Sequence, residues 1–341
     1  MINRTQFVLV IIISFLMPCV GIAETNKLQQ EYPHWNLQNK HQYEIILKLN
    51  KFIKQNKNRG YGAVFDWDGT LFCEKIPYKI NGKKNTSYGE IAWVVWEIHH
   101  LGRPGYKHVL PMFHTKDGQW KNNALHHLKF IAGKTNVPSS EYLLISQFSA
   151  MQANMTPQEL NFTVTDFLHQ YQPKDYAFLP MLDVMQRLID TGFNVWIVSG
   201  SNAYYLLNLI KNIEQNIEYQ PNKNYHFAAI NIIGNQSKLM PNGKFSVVYD
   251  DTFVKNKQHK LYIVDGYGKL LAIKNYINTR IKKPVIFYAG NSSGDFYGMR
   301  YVLQQPKTIA IAVNPIGTLN ILLKKYPQKI LVVNCHKKTR C

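Results

Sequence analysis

Two aspartates at the end of a short apolar run are the residues in this chain whose types and spacing most clearly indicate chemistry. Asp66 and Asp68 lie two positions apart and directly follow residues 61–65, an apolar run that predicts a buried strand. Gly69 and Thr70 come next, where a turn is expected. Two carboxylates are costly to bury unless they bind a cation or exchange protons. The segment therefore predicts a reactive site, and the alternative is an ordinary Asp-Gly turn.

Further polar residues follow other apolar runs or open a helix between them. Strands and helices alternate from about residue 176 with short connections, which predicts a parallel sheet covered on both faces by helices. Beside the strand at residues 62–65, strands are expected at residues 195–198, 284–288, 308–313 and 330–333. Helices are expected over residues 269–277, 296–303 and 318–325, and a hairpin turn at residues 241–243. In such a sheet, ligands bind beyond the carboxyl ends of the strands. The residues that we expect at this rim, beside the aspartate pair, are Ser199, Gly200, Lys269, Asn291 and Asp295.

These residues, in this order, resemble the four motifs of the haloacid dehalogenase superfamily of phosphohydrolases. Residues 66–70 match the first motif, and Ser199, at the end of an apolar strand, matches the second. Lys269 matches the third motif, and residues 291–295 match the fourth. The resemblance spans roughly residues 61–320. It implies an α/β fold: a Rossmann-like parallel sheet core with an inserted, mostly helical cap domain, as in the phosphoserine-phosphatase-like branch.

The resemblance implies a role for each matched residue. Asp66 would be the nucleophile that forms an aspartyl-phosphate. Asp68 would protonate the leaving alcohol and later deprotonate the attacking water. The residues expected to bind the phosphoryl group are Ser199, Gly200, Lys269 and Thr70. The acid at position 68 points to phosphoryl transfer, because family members that attack carbon–halogen bonds lack it.

The resemblance also implies a Mg²⁺ cofactor. Two carboxylates that face an anionic substrate need a cation to offset their repulsion, and Mg²⁺ prefers oxygen ligands. The expected ligands are the Asp66 side chain, the Asp68 backbone carbonyl, Asn291 and Asp295. The family usually has an acid where this chain has Asn291, and an amide oxygen brings no charge. We expect Mg²⁺ to bind, either with lower affinity or with more of its coordination carried by Asp295.

Length and pattern divide the chain into a core and added segments. The 341 residues suggest one to two domains. We expect residues 24–60 to form an N-terminal helical segment that packs on the core, residues 61–78 and 176–341 to form the core, and residues 79–175 to form the helical cap. Within the cap segment, helices are expected near residues 91–100 and 124–132 and over residues 157–171, the last with Thr156 as its N-cap. The cap segment holds seven of the twelve histidines. Adjacent histidines point in different directions on a helix, so these pairs do not resemble a metal clamp.

Residues 1–23 have the pattern of a secretory signal peptide. Arg4 supplies the positive charge, residues 7–17 are apolar, and residues 21–23 offer a small–x–small cleavage pattern. The apolar run is short for a membrane span. The pattern predicts an exported protein, periplasmic or secreted, with Glu24 as its first mature residue. An uncleaved N-terminal anchor is the alternative.

The chain is strongly basic, with a formal net charge of +19 from 40 Lys and Arg against 21 Asp and Glu. The basic residues are spread along the chain without a block, so we expect no nucleic-acid partner and, after signal cleavage, no membrane partner. Steering of anionic substrates is a secondary effect of this charge. Of the three cysteines beyond the signal, Cys335 and Cys341 could close a small C-terminal loop, whereas Cys73 is expected to be buried.

Together these features predict an exported Mg²⁺-dependent phosphomonoesterase that hydrolyses a small phosphorylated metabolite. A looser likeness to the secreted bacterial phosphorylcholine phosphatases makes phosphorylcholine one candidate substrate. Trp93 and Trp96 could form a cation-binding cage, although two tryptophans three apart on a helix are more typical of a core. The first alternative is a non-catalytic phosphate-ligand-binding protein on the same fold. The second is a nucleic-acid-binding protein, which only the charge suggests.

Overall fold

The computed structural model describes residues 23–80, 83–87, 89–99, 152–171, 173–227, 230–255 and 262–335. The predictions made for residues 1–22, which hold nearly all of the signal pattern, lie outside this part of the chain. So does the helix expected near residues 124–132. Among the described residues, no helix has both the length and the apolar character needed to cross a membrane.

The strands and helices alternate as the sequence predicts. The strands are β1 (Gly62–Phe65), β2 (Ile76–Ile80), β3 (Lys83–Ser87), β4 (Asn194–Asn202), β5 (Glu218–Gln220), β6 (Lys223–Asn224), β7 (Asn231–Asn235), β8 (Ser237–Leu239), β9 (Phe245–Tyr249), β10 (Val285–Gly290), β11 (Ile309–Val313) and β12 (Ile330–Val333). The α-helices are α1 (Lys40–Asn56), α2 (Gly89–His99), α3 (Pro157–Gln170), α4 (Leu179–Asp190), α5 (Ala203–Asn216), α6 (Tyr267–Leu271), α7 (Asn278–Ile281), α8 (Phe296–Leu303) and α9 (Leu319–Lys325). A helical segment at residues 23–31 precedes α1.

Six strands form one parallel sheet in the order β12-β11-β10-β1-β4-β7. The chain extends the sheet in one direction from β1 through β4 and β7, and in the other from β10 through β11 and β12. The order therefore reverses beside β1, and the carboxyl ends of β1 and β10 form the crevice where such sheets bind ligands. The predicted α/β fold with a Rossmann-like parallel sheet is confirmed.

Both faces of the sheet are covered, which explains why β1 is a continuous apolar run. Ala63 and Phe65 pack into the hydrophobic cluster on one face, and Val64 packs into the cluster on the other. Successive side chains of a strand alternate between its faces, so a strand with two covered faces has no polar position. The first of these clusters also holds the apolar stripe of α1, including Ile46 and Leu49. The N-terminal helix predicted to pack on the core does so.

β4 is longer than the four-residue strand expected at residues 195–198. Its pairing with β7 is interrupted after Val198 and resumes where Asn202 lies opposite Asn235. Residues 199–201 therefore lie in an irregular stretch between two paired positions, instead of following the end of the strand. The pairing partner is more than thirty residues away in sequence, so the local pattern of apolar residues could not show this interruption.

The segment between β1 and α4 contains strands as well as helices. β2 and β3 form an antiparallel hairpin that the sequence did not predict. α2 and α3 are present as expected, and Thr156 caps α3 as predicted: its hydroxyl accepts from the Glu159 N–H at 3.2 Å, and the Glu159 carboxylate accepts from the Thr156 N–H at 2.8 Å. The predicted hairpin turn at residues 241–243 lies between β8 and β9.

The helix expected over residues 269–277 begins as α6 and continues as six residues of π-helix, Ala272–Ile277, before α7. The apolar spacing that predicted a helix does not distinguish these two helix types. Cys73 is buried, as predicted. Cys335 is disulfide-bonded, and its partner lies outside the part of the chain that the structure describes.

Candidate active site

The carboxyl ends of β1, β4 and β10 bring the predicted site residues to one rim of the sheet. Asp66 is the first residue after β1, and its N–H donates to the Ala289 carbonyl oxygen on β10 at 2.9 Å. This bond fixes the nucleophile candidate against the neighbouring strand. Asp66 is almost fully buried, with 4% of its surface exposed. Its carboxylate therefore depends on the protein, or on a bound cation, for its charge balance.

Lys269 joins two acids that are far apart in the sequence. Its Nζ lies 2.6 Å from Asp66 Oδ1 and 2.8 Å from Asp295 Oδ1. All three side chains are buried. Lys274, the other lysine on the same helical segment, is exposed. Lys269, and not Lys274, therefore lies at the rim.

The charges of this group do not balance. Burial lowers the pKa of Lys269, but the facing carboxylates of Asp295 and Asp66 more than offset it and hold the pKa well above its usual range. Burial and the nearby Asp295 raise the pKa of Asp66, against the opposing effect of Lys269. One ammonium thus faces two buried carboxylates, with Asp68 close by. An additional cation at this rim would offset the excess negative charge.

Asp295 has its side-chain oxygens engaged by donors from the protein. Oδ1 accepts from Lys269 Nζ and from the Tyr288 hydroxyl at 2.8 Å. Oδ2 accepts from the N–H groups of Asn291 at 2.9 Å and Ser292 at 3.2 Å. Gly290 allows this close approach, because a Cβ there would come within 2.5 Å of the Asp295 carboxyl carbon. Asp295 therefore holds the loop after β10 and orients Lys269.

Asp68 lies in a different environment from Asp66. Its Oδ2 accepts from the Ser201 hydroxyl at 2.7 Å. Its Oδ1 is buried and has no hydrogen-bond partner among the described residues. Burial raises the pKa of Asp68 to about 6, although the Ser201 hydrogen bond and Lys269 lower it. A carboxyl group with this pKa can exchange a proton near neutral pH, which suits an acid/base residue.

Asn291 packs directly against the turn after the aspartate pair. Gly69 has a φ of +77°, and a Cβ there would lie 1.8 Å from Asn291 Nδ2, so only glycine fits. With Nδ2 on this side, Asn291 Oδ1 is buried, and it has no hydrogen-bond partner within the described parts of the chain. Thr70 lies in the same turn, and its hydroxyl donates to Asp66 Oδ2 at 3.3 Å.

Ser199 and Gly200 lie in the irregular stretch of β4. Ser199 Oγ accepts from the Ser201 N–H at 3.1 Å, so its own hydroxyl proton remains available to another acceptor. The Gly200 carbonyl oxygen accepts from Asn235 Nδ2. Asn235 is itself fully buried, and its Oδ1 accepts from the Val264 N–H at 2.8 Å and from a tyrosine hydroxyl on β9. This amide fixes the path of the chain through Gly200.

Four residues of the site were not found from the sequence: Ser201, Tyr288, Asn235 and Glu90. Ser201 belongs to the Ser-Gly-Ser-Asn run, but the interruption in β4 decides which serine reaches Asp68. Glu90 is on α2, in the segment inserted after β1, and no local pattern linked it to the site. Burial, and then the nearby Asp68, raise the pKa of Glu90 to about 8, while the Asn202 N–H lowers it.

The rim offers oxygen donors of mixed type for a divalent cation. Within the described ranges, His, Cys, Asp and Glu side chains form no group of three or more that could hold a metal. The donors that fit Mg²⁺ are the Asp66 carboxylate, the Asp68 backbone carbonyl and Asn291 Oδ1, which is buried and accepts no hydrogen bond from any described residue. This orphaned oxygen and the excess of negative charge both fit a cation at this place.

Neither a family model nor a curated protein matches this chain. Among solved structures, a conserved protein of unknown function from Anaerococcus prevotii matches with a TM-score of 0.54 and 14% identity, over 85% of this chain and 91% of that chain. Cytosolic 5'-nucleotidase IIIB bound to cytidine matches at a TM-score of 0.43 with 14% identity, over 87% and 90% of the two chains. A phospho-aspartyl intermediate analogue of phosphoserine phosphatase matches at 0.37 with 12% identity, over 82% and 94%. The Anaerococcus prevotii match shows a shared fold.

Proposed function

We propose that this protein is a phosphohydrolase of the haloacid dehalogenase type, which cleaves phosphomonoesters through an aspartyl-phosphate on Asp66. One observation carries this proposal. Lys269 bridges Asp66 and Asp295 at the carboxyl end of β1, and a second carboxyl group, Asp68, lies beside them with a pKa raised to about 6 by burial. A nucleophile, a fixed positive charge and a proton donor are the three groups that phosphoryl transfer requires.

Asp66 and Asp68 differ in ways that suit two roles. Lys269 holds Asp66 Oδ1, and Thr70 holds Oδ2 by a longer bond of 3.3 Å, so Oδ2 is the less restrained oxygen and the better nucleophile. An Asp66 oxygen forms a bond to phosphorus as the ester P–O bond breaks, and Asp68 gives its proton to the leaving oxygen. Water then attacks the aspartyl-phosphate, and Asp68 takes up the proton that the water releases.

The phosphoryl group would be held by donors from the turn after β1 and from β4. Ser199 can donate its hydroxyl proton because its oxygen already accepts from the Ser201 N–H. Gly200 leaves the backbone around it open to a phosphoryl oxygen. Lys269 contributes charge next to the nucleophile, and charge stabilisation of this kind is commonly the largest contribution to such reactions.

Mg²⁺ fits the rim as the cofactor. Asp66, the Asp68 backbone carbonyl and Asn291 Oδ1 would hold it, and when bound it neutralises charge on the phosphoryl oxygens. Asp295 would act mainly through Lys269 and the loop after β10, because four donors from the protein already engage its carboxylate. The role of Asp295 as a direct ligand is thus the less favoured part of the expected ligand set.

For the substrate we propose a small phosphorylated metabolite, with phosphorylcholine as one candidate. Glu90 is buried close enough to Asp68 to be affected by its charge, but with a pKa raised to about 8 it is largely uncharged near neutral pH and does not by itself select a cationic leaving group. A cage built from Trp93 and Trp96 is not supported. Trp93 stacks on Tyr205, and Trp96 packs edge-on against Phe167, so both belong to the hydrophobic core.

Export remains part of the proposal, and it rests on the N-terminal sequence pattern alone. Cell fractionation with an antibody against the chain would test it. We expect the protein in the periplasm or the medium, with an N-terminus near Glu24. Full-length protein found only in the cytoplasm would contradict export.

The experiment that tests the enzymatic proposal is hydrolysis of a panel of phosphomonoesters by the purified protein with Mg²⁺. We expect turnover by the wild type and loss of turnover in Asp66→Asn. The partly exposed Asp251, which pairs with Lys255 at 3.4 Å, provides a matched control, because Asp251→Asn makes the same chemical change outside the Lys269 group. Absence of turnover on the whole panel, with phosphate ligands still bound, would favour the alternative of a non-catalytic binding protein.

A further inference from the structure

Ser201 lies between Asp68 and Ser199, two residues with different roles in the proposed reaction, and neither the sequence motifs nor the comparisons assign it a role. Its hydroxyl donates to Asp68 Oδ2 at 2.7 Å, and its N–H donates to Ser199 Oγ at 3.1 Å. It is buried, with 4% of its surface exposed. One residue therefore contacts both the candidate acid/base and the candidate phosphoryl-binding hydroxyl.

The backbone around Ser201 is held by the neighbouring strand. Gly234 on β7 lies so close that a Cβ there would come within 2.4 Å of the Ser201 carbonyl oxygen. Asn235 donates to the carbonyl oxygen of Gly200, the residue before Ser201. These contacts fix the place of the Ser201 hydroxyl, because the chain cannot shift at this point without breaking a buried hydrogen bond or meeting β7.

The two oxygens of Asp68 are not equivalent as a result. Oδ2 accepts the Ser201 hydrogen bond, which persists in either protonation state of the carboxyl group if the proton is carried by Oδ1. Oδ1 is buried, and no described residue hydrogen-bonds to it. The free oxygen is therefore the one that can carry a proton to a substrate.

We propose that Ser201 is a positioning residue that orients the Asp68 carboxyl group, so that Oδ1 faces the leaving oxygen of the phosphomonoester. In the first half-reaction, the proton on Oδ1 moves to the leaving oxygen as its bond to phosphorus breaks, and the Asp68 carboxylate that remains is held through Oδ2. The inference rests on the proposed phosphohydrolase function and adds a residue to it.

The test compares an alkyl phosphomonoester, whose alkoxide needs a proton to leave, with p-nitrophenyl phosphate, whose phenolate leaves without one. For Ser201→Ala we expect kcat/KM on the alkyl ester to fall roughly 10- to 100-fold, because correctly placed proton transfer contributes on this scale or more. On p-nitrophenyl phosphate we expect kcat/KM to fall by less than about threefold, because kcat/KM covers the steps up to departure of the leaving group and not the later attack of water, in which Asp68 acts as the base for both esters. Ser201→Thr retains the hydroxyl and should restore most of the alkyl-ester rate.

Two comparisons separate positioning from general damage. Ser199→Ala should slow hydrolysis of both esters, because it removes a phosphoryl contact, and Ser246→Ala, on the β8–β9 hairpin, should slow neither. If Ser201→Ala does not fold, Ser201→Cys serves instead, since a thiol is a weak donor and should lower the alkyl-ester rate selectively.

If Ser201→Ala lowers kcat/KM equally on the two esters, or lowers it on neither, the positioning role of Ser201 is overturned. A threonine variant as slow as the alanine variant overturns it too. These outcomes require a wild type that turns over both esters. If the wild type hydrolyses neither, the proposed function itself fails, so the two failures are distinguishable.

Discussion

The side-chain nitrogen of Asn291 packs directly against Gly69. A Cβ at position 69 would lie 1.8 Å from this nitrogen, so Asn291 fills the space that any other residue there would need. This contact turns Asn291 Oδ1 away from the Gly69 side, where it is buried with no hydrogen-bond partner among the described residues. The amide thus contributes one oxygen without charge to the rim that we propose for Mg²⁺. The consequences for metal affinity can be measured directly.

We expect Asn291→Asp to bind Mg²⁺ more tightly, by about tenfold, because a charged oxygen would replace a neutral one at the proposed site; tenfold corresponds to about 1.4 kcal/mol. Isothermal titration of the two proteins with Mg²⁺ measures the difference without any turnover. The exposed Asn275→Asp serves as a control for a change of charge elsewhere. Equal affinity in wild type and Asn291→Asp would remove Asn291 from the ligand set.

Lys269→Met should damage both activity and stability. It leaves Asp66 and Asp295 buried without their shared counter-charge, and breaking a buried ion pair from one side costs about 3–5 kcal/mol. We expect kcat to fall by about 10²- to 10³-fold, the scale seen when a charge-stabilising donor is lost. Denaturant unfolding and steady-state rates measure the two effects. Lys274→Met, at an exposed lysine five residues later, should change the free energy of unfolding by less than about 0.5 kcal/mol. A similar loss of unfolding free energy in both variants would contradict the role of Lys269 as the shared counter-charge.

The pKa of Asp68, raised to about 6 mainly by burial, predicts a pH dependence for alkyl phosphomonoesters. Asp68 must be protonated to assist the leaving alcohol, so kcat/KM should fall as pH rises above about 6, by up to about tenfold per pH unit. The fall should be weaker for p-nitrophenyl phosphate, whose leaving group needs no proton. A pH profile that is the same for both substrates would contradict the assignment of Asp68 as the acid.

Glu97 predicts a pH dependence of stability away from the rim. It is buried on α2, and burial raises its pKa from 4.5 to about 8, although a hydrogen bond from Thr163 lowers it. The folded state thus keeps a proton that the unfolded state releases, so stability is complete below about pH 4.5 and is lost as pH rises towards 8. Relative to the wild type, Glu97→Gln should gain up to about 1.4 kcal/mol of unfolding free energy per pH unit across this interval. Glu44→Gln, at an exposed glutamate, should show no such change of unfolding free energy with pH in denaturant titrations. If the unfolding free energy of both variants, relative to wild type, changes equally with pH, the prediction is wrong.

Much of the fold followed from the sequence because it depends on local patterns. The apolar runs at β1 and β12 predicted those strands with their observed bounds, and the Thr156 cap was readable from one hydroxyl and one acid three residues later. The β2–β3 hairpin was missed, because residues 83–87 are polar and carry no alternating apolar pattern. Strand propensity is weak evidence where neighbouring contacts decide the structure.

The candidate site could be predicted to the extent that its residues follow strands. Asp66 and Asn291 lie at the rim because parallel strands bring their carboxyl ends together, and Ser199 lies there in the irregular stretch near the end of β4. Ser201 and Glu90 could not be assigned in this way, because their approach to Asp68 depends on the interruption in β4 and on the placement of α2. Both are tertiary features with no local signal.

The central claim is that Asp66 carries the phosphoryl group during turnover. It is tested most directly by mixing the enzyme with Mg²⁺ and a phosphomonoester, quenching in acid within the first turnover, and analysing the peptides by mass spectrometry. We predict a hydroxylamine-sensitive phosphoryl group on Asp66 in the wild type and none in Asp66→Asn. A phosphoryl group on another residue such as Ser199, or turnover without any covalent intermediate, would contradict the account.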